Sequence, residues 1–221
     1  MEFIGIVGTY IQLLTFVFSI IFLYKYNHTN LRWLPLYLGF AAFVELYCFY
    51  FFKTNNVWLY NLVIFVQLNF YLLIYNQYFD GAKRKFIWFL QGFFNFCYIG
   101  SFAIGLNNFV KEPSSYGYVA GGIVMIIMLI MCFNQMLKVS SLNGILRNLF
   151  FWLSFSLLVY YATSLPLYSI TNWAGVLGDF KIVIIRIFFF SVLFAQLLLI
   201  YGFVCSKKKY TYLSYQLRSL L

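Results

Sequence analysis

The chain has 221 residues, 64% of them hydrophobic, 24% aromatic and only 9% charged, with fifteen Lys and Arg against five Asp and Glu. Composition of this kind, with a positive mean hydropathy, lies outside the range of soluble globular domains and excludes a water-facing fold of ordinary type. The net charge of +10 invites a nucleic-acid reading, but the cations cluster beside apolar runs, where membrane topology accounts for them.

Seven apolar stretches follow one another: Phe3 to Tyr24, Trp33 to Phe52, Val57 to Phe79, Phe86 to Leu106, Tyr116 to Leu137, Leu149 to Ile170 and Ile182 to Cys205. Each is close to the roughly 20 residues that a helix needs to cross about 30 Å of hydrocarbon. They are twice as long as barrel strands and apolar on every face, and helix is the remaining way to satisfy backbone groups in lipid. The predicted fold is an all-α, seven-helix transmembrane bundle at 1-205, followed by a basic amphipathic tail at 206-221.

Topology follows from charge. With the amino terminus outside, the cytoplasmic face receives Lys25, Arg32, Lys83, Arg84, Lys85, Lys138, Arg147, Lys207, Lys208, Lys209 and Arg218. The outer face receives Lys53, Lys111 and Lys181, and Arg186 falls in the seventh stretch. That imbalance predicts an outside amino terminus and a cytoplasmic carboxyl terminus. No basic region precedes the first stretch, so it reads as a retained anchor and not a cleaved leader. The connections predicted are short, with Asp80 to Lys85 as a cytoplasmic loop and Lys111 to Ser115 and Thr171 to Lys181 outside.

Charged groups inside lipid are costly, which singles out Glu45 and Arg186. At 1.5 Å per helical residue, Glu45 lies about 10 Å and Arg186 about 6 to 9 Å from the outer ends of their stretches. Tyr60 and Asn61 share that layer, as do Tyr161, Thr163 and Ser164. These residues define an outward-facing polar layer, read either as a binding site or as a structural ion pair between Glu45 and Arg186. Gln67, Asn69, Gln91, Asn95, Asn134, Gln135 and Gln196 also fall within the stretches and suit interhelical hydrogen bonds or a polar path. Gly117-x-x-x-Gly121 offers close helix packing, with internal contacts preferred to contacts between subunits.

No catalytic, cofactor or metal set emerges. The one histidine, His28, lies in a loop, and Cys48, Cys97, Cys132 and Cys205 occupy separate stretches without CxxC spacing. Of the carboxylates Glu2, Glu45, Asp80, Glu112 and Asp179, Glu45 alone lies inside a stretch, so an aspartyl pair is absent. In the tail, Tyr210, Leu213, Leu217 and Leu220 recur near helical spacing after Lys207-Lys208-Lys209, with Arg218 nearby. That pattern suits contact with anionic lipid or a cytoplasmic protein partner.

Leu31-Arg32-Trp33-Leu34-Pro35, Val44-Glu45-Leu46-Tyr47, Asn56-Val57-Trp58-Leu59-Tyr60-Asn61 and Asn148-Leu149-Phe150-Phe151-Trp152 resemble recurrent segments of small seven-helix membrane proteins of Bacteroidota. The resemblance implies partners in signalling or defence systems, with the membrane accessory proteins of type VI CRISPR loci as one such group. It implies no catalytic residue and draws attention to Glu45 and Asn61. Three functions follow as expectations: a non-enzymatic sensory or regulatory membrane protein first, an oligomeric channel or transporter second, and a lipid-acting enzyme using Glu45 third. Membrane lipids, a cytoplasmic protein and further copies of the chain are the expected partners, without direct nucleic-acid binding.

Overall fold

Apolar segments this long bury their backbone polar groups by pairing them internally, and the computed structural model is helical throughout, with no strand among the described residues. It describes residues 2-50, 56-106, 108-139, 142-173 and 178-208. The helices are α1 (Glu2–Ile21), α2 (Leu34–Tyr50), α3 (Val57–Asn76), α4 (Gly81–Ala103), α5 (Ser115–Val139), α6 (Leu142–Leu146), α7 (Leu149–Trp173) and α8 (Gly178–Cys205). Six helical segments among the described residues are long and apolar enough to cross a membrane: Asn30–Tyr50, Val57–Asn76, Gly81–Ala103, Ser115–Lys138, Leu149–Pro166 and Arg186–Cys205. Ile6–Ile21 in α1 is apolar but shorter.

Two connections differ from the expectation drawn from hydropathy. Lys83, Arg84 and Lys85 stand in the opening turns of α4, which begins directly after the extended Asp80. Gly81 has a φ of 57°, a left-handed conformation that glycine adopts without steric cost. The predicted outer loop at Thr171 to Lys181 contracts as well, because α7 runs to Trp173 and α8 starts at Gly178. Polar residues do not end a helix that emerges from lipid, since water or headgroups can solvate its surface. The short helix α6 lies in what hydropathy reads as a plain connection.

The chain forms two compact units, the first comprising Met1–Ala42, Leu129–Tyr160 and Ser191–Leu221. Here Ala195, Leu199 and Phe203 of α8 form a buried stripe at four-residue spacing, and Leu149, Leu153 and Leu157 form another on α7. Ser156 donates its hydroxyl to the Ala195 carbonyl at 2.7 Å, an interhelical bond of the kind that holds apolar helices together. Phe16 packs where Gly39 leaves room, since a Cβ there would stand 2.8 Å from the ring.

The linker between α1 and α2 is bound tightly into this first unit. Tyr26 is fully buried, donates its hydroxyl to the Ser19 carbonyl and stacks obliquely on Phe203 with ring centroids 5.8 Å apart. Burial pushes its hydroxyl pKa well above the ordinary tyrosine range. Lys25 donates from Nζ to the carbonyls of Phe203 and Val204 at 2.9 and 2.8 Å, and its ammonium lies 4.3 Å from the Phe22 ring centroid. A lysine at this position satisfies carbonyls left open at the end of α8 and complements the negative pole of its dipole.

Within the same linker, burial first and the Lys208 charge second depress the His28 pKa below 6.5. The unfolded chain therefore takes up that proton more readily than the folded one, so stability is lost as pH falls below 6.5 and levels off beneath the folded value. Melting curves recorded on either side of that pH should show the loss in the native chain and a smaller one in His28→Gln.

The second unit comprises Phe43–Met128 and Tyr161–Phe190. Its α3–α4 hairpin buries Leu68, Tyr71, Leu72 and Tyr75 on one side and Ile87, Leu90, Phe94 and Tyr98 on the other. On α5, Gly117 and Gly121 pack internally: a Cβ on Gly121 would strike Leu68 and approach Phe94 to 2.9 Å, and one on Gly117 would strike Tyr98.

Candidate polar site

The second unit holds every member of the predicted polar layer. Glu45 on α2 is half-buried and accepts a hydrogen bond from the Tyr60 hydroxyl of α3 at 3.3 Å. Helical spacing puts Cys48 one turn further along the same face of α2 as Glu45. The structure thus brings together two of the residues that the layer argument selected, across adjacent helices.

Asn61, the next residue after Tyr60, is fully buried. Its Nδ2 donates to the carbonyls of Phe109 and Glu112 at 2.9 and 3.0 Å, and its Oδ1 accepts from the Ser114 amide at 2.9 Å. Its own carbonyl accepts a hydrogen bond of 2.6 Å from Tyr98 of α4. One amide side chain therefore does for the 108–115 connection what a strand neighbour would do in a sheet. The connection is also closed on itself: the Glu112 carboxylate accepts from the Asn108 amide at 3.0 Å, and Asn108 Oδ1 accepts from Val110 and Lys111. This reciprocal pattern resembles a helix capping box.

Further along the layer, Tyr161 is buried with its ring centroid 6.2 Å from that of Tyr118, and Tyr118 donates to Ser164 Oγ at 2.6 Å. Thr163 is half-buried beside them in sequence. Arg186 does not join this group. It lies on an exposed face of α8 with Val183, Ile187 and Phe190, whereas the recorded hydrogen-bond partner of Glu45 is Tyr60. Position along a stretch does not set the rotation of α8, and that rotation turns Arg186 outward, where its long stem can carry the guanidinium to the interface.

A second polar group joins the two helices of the hairpin. Asn69 and Asn95 exchange hydrogen bonds, Nδ2 of each to Oδ1 of the other, at 2.9 and 3.1 Å. Gln91 adds a donor to Asn69 Oδ1 at 3.0 Å, while its own Oε1 is buried with no hydrogen-bond partner. Among the described residues, no three His, Cys, Asp or Glu side chains gather as a metal site would require. In the first unit, the predicted tail contacts Lys207 and Lys208 are exposed. Lys209 and Arg218 lie outside the described residues.

Tyr98, Ser114 and Tyr118 belong to the site yet were not selected from sequence. The Asn108-x-x-x-Glu112 spacing, followed by Ser114-Ser115 ahead of an apolar run, is the signal that this connection is structured and not a passive loop. No protein-family model, curated protein or solved structure matches the chain.

Proposed function

We propose that the chain is a non-enzymatic sensory or regulatory protein of the bacterial inner membrane. In this reading α1 supplies a seventh crossing, the amino terminus is outside, and the basic tail meets a cytoplasmic protein partner. Two consecutive residues at the start of α3 carry the proposal. Tyr60 holds the carboxylate embedded in α2, and Asn61 holds the 108–115 connection, whose residues 108–113 are exposed. A ligand that displaces the connection would pull on Asn61, the chain neighbour of the residue bonded to Glu45. The class of partner implied by the sequence resemblance is a signalling or antiphage defence component.

The test is crosslinking from the tail in cells, with Glu45→Gln and Tyr60→Phe beside the native chain. Gln keeps an acceptor for Tyr60 and removes a lipid-embedded charge, so folding stability should stay within about 1 kcal/mol of native or rise. Capture of one partner that requires residues 206-221, with a yield that changes in both variants, is the expected result. Identical yields in all three chains would remove the polar layer from the signal.

A second reading, an oligomeric channel or transporter that serves as a defence effector, draws support from the Asn69, Gln91 and Asn95 amides and the open acceptor of Gln91. Ion flux through proteoliposomes that changes with Glu45→Gln would favour it over the sensory reading.

A further inference from the structure

The first unit concentrates cations where two chain segments meet. Among its described residues, Lys25, Arg32, Lys138, Arg147, Lys207 and Lys208 stand against a single acid, Glu2. The Lys207 amide donates to the Arg147 carbonyl at 2.9 Å, which joins the end of α8 to the connection between α6 and α7. Arg147, Lys207 and Lys208 are all exposed at that joint. Lys208 also lies close enough for its charge to act on His28 of the α1–α2 linker. Because Lys25 already supplies the positive charge that the end of α8 requires, neither Arg147 nor Lys208 is needed as a cap there.

An independent feature fixes the depth of the joint. Trp152 donates from Nε1 to the Leu146 carbonyl at 2.8 Å, and its ring meets that of Tyr201 edge-on with centroids 4.7 Å apart. Tyr201 is exposed. A tryptophan and a tyrosine paired beside the end of an apolar helix mark the headgroup level of a bilayer. A cationic joint at that level faces phosphate groups and not bulk water or hydrocarbon.

We propose that Arg147, Lys207 and Lys208 bind the phosphate of an anionic glycerophospholipid, with Trp152 and Tyr201 against its glycerol and upper acyl chains. Arginine supplies a planar fork suited to two phosphate oxygens, and the lysines supply point charges. Zwitterionic lipids carry the same phosphate beside a cation, which this joint would repel. The site shares Lys207 and Lys208 with the tail of the sensory reading but does not rest on that reading: partner capture in cells reads residues 206-221 as a whole, whereas lipid affinity of the purified chain reads the cations at this joint.

The test titrates the purified full chain in neutral detergent with phosphatidylglycerol, phosphatidylcholine and inorganic phosphate. The triple variant R147Q/K207Q/K208Q is compared with K83Q/R84Q/K85Q, which loses the same charge elsewhere. At about fivefold per cation, the first triple should lose roughly 100-fold in phosphatidylglycerol affinity and the second less than about threefold. Should the first triple fail to fold, R147Q and K208Q singly should each lose about fivefold. Equal losses in both triples would assign the binding to diffuse charge and overturn the site. So would native affinity in the first triple, or inorganic phosphate bound as tightly as the lipid.

Discussion

Asn61→Ala should cost the second unit about 2–4 kcal/mol, a larger loss than a typical surface change in this chain. The reason lies in what the amide leaves behind. Three main-chain groups lose their partner together: the carbonyls of Phe109 and Glu112, and the amide of Ser114. Phe109 and Glu112 lie on an exposed stretch, so water can recover those carbonyls. Ser114 is fully buried, and its amide would be left open at a cost of about 1–3 kcal/mol. Asn61→Asp is the sharper variant, because it retains an acceptor for Ser114 but turns a second oxygen toward two carbonyls. It should be at least as damaging as Ala. Denaturation in mixed micelles would measure the loss, and hydrogen exchange should rise at the amides of residues 108–115. A loss under about 1 kcal/mol in both variants would mean that the connection is held by something other than Asn61.

Gly117→Ala should cost about 1–3 kcal/mol, although Ala is ordinarily the better helix former. The added carbon would strike the Tyr98 ring and stand 2.6 Å from Ser114 Oγ. Tyr98 has little freedom to yield. Its hydroxyl is tied to the Asn61 carbonyl, and its ring sits among Phe65, Phe94 and Phe102 at centroid distances of 5.1, 5.6 and 5.3 Å. Gly92 and Gly100 of α4 provide the control, because a Cβ at either would meet nothing within 4 Å. Ala at those positions should be neutral or stabilising by up to about 1 kcal/mol. Since Tyr98 and Ser114 touch both Gly117 and Asn61, the two losses should not add. Strict additivity in the double variant would show that the two positions do not share a partner.

The helical class and most helix positions were legible because lipid leaves the backbone few choices: long apolar runs must be helices. The positions of Glu45 and Tyr60 along neighbouring stretches put them at one level, and the two meet in the structure. Rotation about each helix axis was not legible. A helix that is apolar on every face carries no stripe to say which side meets protein, so nothing in the sequence turned Arg186 outward or Asn61 toward the 108–115 connection. The ends of α4, α7 and α8 differ from the bounds of the apolar stretches for a related reason. Hydropathy marks where apolar residues stop, whereas the helix stops where its hydrogen bonds do. The internal contacts of Gly117 and Gly121 agree with the packing preferred from their spacing, although the spacing itself named no partner.

The exchange of hydrogen bonds between Asn69 and Asn95 also bears on how the chain enters a bilayer. Asn95 alone would carry an unmet amide into hydrocarbon, and Asn69 alone would keep only its donation to the Phe65 carbonyl of its own helix at 3.0 Å, a cost that discourages insertion of a single helix. The two lie on helices separated only by residues 77–80, so each can reach the other before any later segment has been made. Biogenesis of α3 and α4 is thereby favoured as a closed hairpin entering together, with its polar groups already masked, and this early pair gives the later helices a finished surface on which to assemble.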